Sequence, residues 1–137
     1  MSCIKFFGVF FAVFLLTSCA TGRVFIPDDL TPAELIQRGQ AASDRNRFNH
    51  ALQHYEALIQ RFPFNIDAVC AAEYEIAFIH YRQRRYDIAV EKFNALLARY
   101  EGPDAELLPP QFKILSLIVL ERIEEIQAGR ARPTRRR

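Results

Sequence analysis

From residue 31 onward the apolar positions recur every three to four residues, while two-residue alternation is scarce. That periodicity predicts five helices, over about 32–44, 48–62, 66–83, 86–100 and 110–128. Thr31-Pro32-Ala33-Glu34 has the form of a capping box with proline at the first helical position. Asn65 stands where it can cap the third helix. Arg45-Asn46-Arg47 and Arg84-Arg85 read as turns, as do Pro63 and Gly102-Pro103, and Gly129 is expected to end the fifth helix. Ahead of all this lies an unbroken apolar run from Phe6 to Leu16 behind a single Lys5.

Two of the helical segments repeat each other. Phe48, Ala51, Tyr55, Leu58, Ile59, Arg61 and Phe62 return as Tyr86, Ala89, Phe93, Leu96, Leu97, Arg99 and Tyr100, always 38 residues later. Small Gly39 and Ala77 stand at the same offset in the preceding helices, where a missing side chain lets two helices approach to roughly 8–10 Å. A hairpin of this kind cannot cover its apolar face alone and must stack on its neighbour. The expected fold is therefore all-α: two helical hairpin repeats plus a C-terminal helix, with the repeat domain at 32–128.

The eleven-residue run at 6–16 would span roughly 16 Å as a helix, about half of a bilayer core. That length suits a secretory h-region better than a membrane span. Leu16-Thr17-Ser18-Cys19 directly behind it resembles a lipobox. The resemblance implies cleavage after residue 18, acylation of Cys19 and a membrane anchor made of lipid. The alternative is an ordinary secretory signal or uncleaved anchor with Cys19 incidental. Residues 19–31, with Gly22, Pro27, Asp28 and Asp29, read as a short tether. Ala20, in place of an aspartate after the cysteine, implies by the same resemblance an outer-membrane, periplasm-facing location.

The stretch 31–103 resembles the tetratricopeptide repeat through Gly39, Ala51, Tyr55 and Pro63 in one unit and Ile76, Ala77, Tyr86, Ala89 and Phe93 in the next. It lacks that family's first-helix tryptophan and has a longer period. A lipobox followed by Tyr55, Leu58, Arg61-Phe62-Pro63-Phe64, Tyr74, Ala77, Tyr81, Tyr86, Ala89 and Phe93 is also similar to outer-membrane assembly lipoproteins of the BamD (YfiO) type. Those are longer, with about five repeats. The likeness implies a scaffold that binds protein partners in envelope assembly and is not an enzyme.

Charge adds a further constraint. From Cys19 to Gly129 there are 12 Lys and Arg against 16 Asp and Glu, while residues 130–137 hold five arginines and no acid. No basic stripe runs along a structured segment, which argues against nucleic-acid binding. The tail at 129–137 is expected to be disordered, and either meets anionic headgroups or an acidic partner or is simply a frayed end. In a stacked array the first helices line the inner face. That face is expected to carry Ile36, Gln40, Ser43 and Asp44 in unit one and Ala71, Tyr74, Phe78, Tyr81 and Arg82 in unit two. Rings with a flanking arginine suit a peptide or partner helix, although Tyr74 and Phe78 would equally pack on the fifth helix. Phe112, Ile114, Leu115, Leu117, Ile118, Val119 and Leu120 leave that helix hardly any polar face, so it is either a tightly wrapped cap or a docking surface centred on Leu117, including a homodimer through 110–128.

The candidates for chemistry are few. His50 and His54 have helical metal spacing but no third ligand and read as solvated. Cys70 reads as a small packing residue. Glu73 and Glu75, and Glu121, Glu124 and Glu125, read as solvated charge. No phosphate loop, nucleophile elbow or metal-spaced cysteine set is present, and no cofactor or metal is expected. Two rival roles remain: a ligand-delivering subunit of an uptake system, and a self-associating structural lipoprotein of the envelope.

Overall fold

The computed structural model describes residues 22–131. The leader at 1–18, Cys19 and the arginines from residue 132 onward lie outside the described residues. Five α-helices follow in order: α1 Pro32–Asp44, α2 Phe48–Arg61, α3 Ile66–Arg82, α4 Tyr86–Arg99 and α5 Pro110–Ala131, with a 3-10 turn at Ala105–Leu107. No strand occurs among the described residues. The fold is all-α, two helical hairpins (α1–α2 and α3–α4) stacked in series with α5 closing the far side.

Local signals explain the helix starts. The Thr31 side chain accepts from the Glu34 amide while Glu34 Oε2 accepts from the Thr31 amide at 2.9 Å, so both halves of the capping box form. These bonds to the ionised carboxylate hold the Glu34 pKa below its ordinary value. Asn65 Oδ1 accepts from the Ala68 amide at 3.1 Å at the start of α3. Pro63 keeps α2 from continuing. Gly129 does not end α5, which runs on to Ala131. A single glycine in the last turns of a helix costs under about 1 kcal/mol relative to alanine and need not stop it. The helix thus takes in residues 129–131, the first part of the tail expected at 129–137.

The 38-residue repeat extends to the backbone. Among the described residues Asn46 (φ 56°) and Arg84 (φ 60°) are the two non-glycine residues at positive φ, and they are 38 apart. After each, the next amide reaches back to close the helix end: Arg47 N to Ala42 O and Arg85 N to His80 O, both at 2.9 Å. Asparagine tolerates the left-handed region, whereas arginine does so at a cost. Arg84→Gly is therefore expected to raise stability by about 0.5–1 kcal/mol, read as a higher urea midpoint at unchanged slope.

The core follows the same repeat. Gly39 and Ala51 with Tyr55, and Ala77 and Ala89 with Phe93, are buried at equivalent places. The hydroxyl end of the Tyr55 ring lies over Gly39 in a cluster that reaches Ala68, Val69 and Ala72 of α3. Phe93 joins Ala77 and Ala89 to Val119 and Ile123 of α5. Each second aromatic thus ties its own hairpin to the next element. Arg99 of α4 pairs with Glu73 of α3, and the Tyr100 hydroxyl donates to Pro109 O at 2.7 Å, which fixes the entry to α5.

The segment expected as a tether is held down over its described part. Residues 22–30 run as a strap beside α2. The Val24 amide donates to Gln53 Oε1 at 2.9 Å, and Gln53 Nε2 donates to Gly22 O at 3.4 Å. The Arg61 guanidinium donates to Pro27 O at 2.6 Å, to Ile26 O at 3.0 Å and to Asp28 Oδ1 at 3.2 Å. Leu30 is buried in the first core cluster and Ile26 packs against it. Backbone carbonyls that would otherwise need water find a charged donor, which makes the extended conformation stable without a sheet.

Candidate functional site

Four rings form a continuous column. Tyr74 stacks on Phe78 with centroids 5.8 Å apart and planes 13° apart, and Phe78 continues to Tyr81 at 5.6 Å and 29°. Tyr81 meets Tyr86 of α4 at 6.0 Å. The spacing of 74, 78 and 81 puts these side chains on one stripe of α3. Tyr74 also touches Phe93 and Phe112, both at 5.8 Å, so the column packs on α4 and α5 at one end. All four column residues are half-buried. Tyr74 and Phe78 pack on α5, the reading the sequence left open beside the groove, and their rings keep an accessible edge.

The remaining inner-face candidates divide. Gln40 is exposed on α1. Arg82 is engaged within the molecule: its Nη1 donates to Ser43 Oγ at 2.7 Å and to Ser43 O at 3.2 Å, and its Nη2 donates to Asn46 Oδ1 at 3.1 Å. Its guanidinium also lies over the Phe48 ring at 5.0 Å. Arg82 is an inter-repeat strut that satisfies a carbonyl at the end of α1. A groove of about 500 Å³ opens where the first turns of α1, α3 and α5 converge, lined by Pro32, Ile36, Ala68, Gln111 and Phe112 among others.

α5 is buried on one side only. Ser116, Val119 and Ile123 face inward, with Phe112 and Leu120 half-buried beside them. On the other side Ile114 is 58% exposed, Leu117 50%, Ile118 56% and Leu115 39%. Among the described residues nothing covers this side of α5. Glu121, Glu124 and Glu125 continue the outer face and are exposed, as the sequence implied. Exposed Phe64 in the α2–α3 turn and exposed Phe25 on the strap are further apolar features that periodicity does not single out.

Several titratable groups are less solvated than expected. His54 is buried, lying one turn from Ala51 and Leu58 on the stripe that packs inward. That i, i+3, i+7 spacing was the signal for it. His50 is half-buried, and no group of three metal-ligating side chains occurs among the described residues. Glu73 is paired with Arg99, and burial raises the Glu75 pKa against the opposing pull of Arg82. Burial likewise raises the Cys70 thiol pKa, which makes it a packing residue and a poor nucleophile.

Burial lowers the pKa of both His54 and His80, with smaller contributions from Arg38 for the first and Arg85 for the second. Below the ordinary value of 6.5 the unfolded chain then binds more protons than the folded one. Their contribution is full above that pH and declines below it. Glu75 acts oppositely in a lower window, since protonation there relieves its buried charge. The thermal midpoint is expected to fall between pH 7.5 and 5.5, and a His54→Gln/His80→Gln chain should lose most of that slope in a thermal titration.

The fold and these surfaces define a helical-hairpin repeat protein with two apolar faces, one of stacked rings and one of aliphatic side chains. An uncharacterized protein of Treponema pallidum (strain Nichols) is 34% identical over 114 residues, which is 82% of this chain and 46% of that one. The chain thus spans about half the length of the curated relative it matches. No family model and no solved structure matches.

Proposed function

We propose that this chain is a tetratricopeptide-like scaffold that binds protein partners at the surface of a bacterial membrane, held there by an acylated Cys19. The observation that carries the reading is the unpartnered aliphatic row on α5: Ile114, Leu115, Leu117 and Ile118 lie together at the open end of a repeat stack. Stacked repeats bury such faces against the next helix, so the row fits an amphipathic helix of a partner. The ring column on α3 offers a second, flatter contact for an extended peptide. The lipobox-like Leu16-Thr17-Ser18-Cys19 supports the tether. No helix among the described residues is long and apolar enough to cross a membrane. The resemblance to BamD-type lipoproteins supports a role in outer-membrane protein assembly.

A photoreactive side chain at Ile118 or Tyr81, irradiated in whole cells, tests this. Adducts to envelope proteins at both positions are expected, and Leu117→Asp should remove those at Ile118 while leaving helical content unchanged. Absence of protein adducts at both positions would sink the scaffold reading. The same aliphatic row favours one second reading, pairing of two copies through α5. It predicts a concentration-dependent dimer by sedimentation and adducts to the chain itself, both lost in Leu117→Asp.

A further inference from the structure

The structure gathers one sign of charge at one end. The α1–α2 turn carries Arg45 and Arg47 and the α3–α4 turn carries Arg84 and Arg85, all exposed and none in an ion pair among the described residues. The two turns adjoin, because Arg82 at the end of α3 bonds Ser43 and Asn46. The strap brings Gly22 to the same place, where it lines a cavity with Asn46, Arg47, Asn49 and Gln83, and Arg23 is exposed beside it. The last turns of α5 arrive there too, with Gln127 against Arg84 and Arg85. Asp44 and Asp87 sit at the turns themselves and Glu75, Glu91 and Glu124 further along the helices, while five exposed arginines make no ion pair among the described residues. The opposite end holds Asp28, Asp29, Asp67, Asp104 and Glu106, all exposed.

We infer that the Arg45–Arg47 and Arg84–Arg85 turns form a membrane-facing end that rests on anionic phospholipid headgroups and stands the repeats upright on the bilayer. Guanidinium groups on two neighbouring turns match phosphate oxygens and add to one another near a negative surface. The repeat is what builds the patch, since both turns occupy the same place in their hairpins. The orientation also agrees with the proposed tether, on which this inference partly rests. Gly22 is three residue steps from Cys19, a reach of at most about 11 Å, so an acyl chain on Cys19 would emerge at the basic end and not at the acidic one. The acidic end is then turned toward the aqueous side.

The test uses the chain purified from bacterial membranes and returned to vesicles, with a benzophenone side chain at Asn49 near the basic end or at Asp104 at the acidic end. On phosphatidylcholine containing a third phosphatidylglycerol, lipid adducts at position 49 should exceed those at 104 by at least tenfold. The preference should shrink on pure phosphatidylcholine and at high salt. Each arginine neutralised among Arg45→Gln, Arg47→Gln, Arg84→Gln and Arg85→Gln should weaken the anionic preference about fivefold. Equal lipid labelling at 49 and 104, or protein adducts alone at 49, would overturn the inference. Retention on neutral vesicles in high salt reports the tether separately. A chain that washes off neutral vesicles but keeps the preference at 49 on anionic ones refutes the anchor and keeps the basic end.

Discussion

Phe93→Ala is expected to cost about 3–5 kcal/mol of unfolding free energy, a large part of the roughly 5–15 kcal/mol that holds a domain of ordinary stability. Phe93 is fully buried and touches both hairpin partners and α5 through Ala77, Ala89, Val119 and Ile123. Removing the ring leaves a cavity among small and β-branched neighbours that have little freedom to fill it. It also removes the ring contact with Tyr74, worth about 0.5–1.5 kcal/mol beyond area. Because the ring bridges two elements, α5 should lose amide protection before the first hairpin does. Urea unfolding of Phe93→Ala beside Phe93→Leu, with hydrogen exchange on both, measures this. A loss below about 1 kcal/mol would mean that α5 is not joined to the repeats at this point.

Gly39→Ala should cost about 1–3 kcal/mol even though alanine favours a helix over glycine by about 1 kcal/mol. A Cβ at residue 39 would sit 2.6 Å from Tyr55 Cζ and 2.7 Å from Cε1, and that ring is fully buried and has nowhere to go. Gly129→Ala is the matched control: nothing lies within 4 Å of its added Cβ, so the same change there should be neutral or stabilising. Trimming the ring should recover part of the loss, so Gly39→Ala/Tyr55→Leu is expected to be less destabilised than the sum of its parts. The Tyr55 hydroxyl is buried without a hydrogen-bond partner, and the equivalent residue in the second hairpin is Phe93. Tyr55→Phe should therefore be neutral or stabilising. Thermal midpoints of the four variants decide the matter.

The helices and the repeat were legible because each rests on local chemistry. The Thr31–Glu34 box, the Asn65 cap and the Gly39/Ala77 offset each state a contact in the sequence itself. What was illegible depends on partners far apart in the chain. Nothing periodic marks residues 22–30, and the strap forms because Arg61, more than thirty positions later, supplies donors for carbonyls. Arg82 read as a groove residue because its helix face was right, and Ser43 and Asn46 claim it only once the hairpins stack. The apolar character of Ile114–Ile118 was plain in the sequence, but which side of α5 would remain open required the packing of Val119 and Ile123. His54 was misjudged although its spacing from Ala51 and Leu58 announced burial.

The strap carries a mechanical consequence. It lies alongside α2 and points in the same direction, so tension applied ahead of Gly22 pulls along its length. The bonds at Gln53 and Arg61 are then loaded together in shear instead of peeling one by one. A pull on the chain ahead of Gly22 would be transmitted across the first hairpin to the far end of α2, with the rest of the stack shielded from the force.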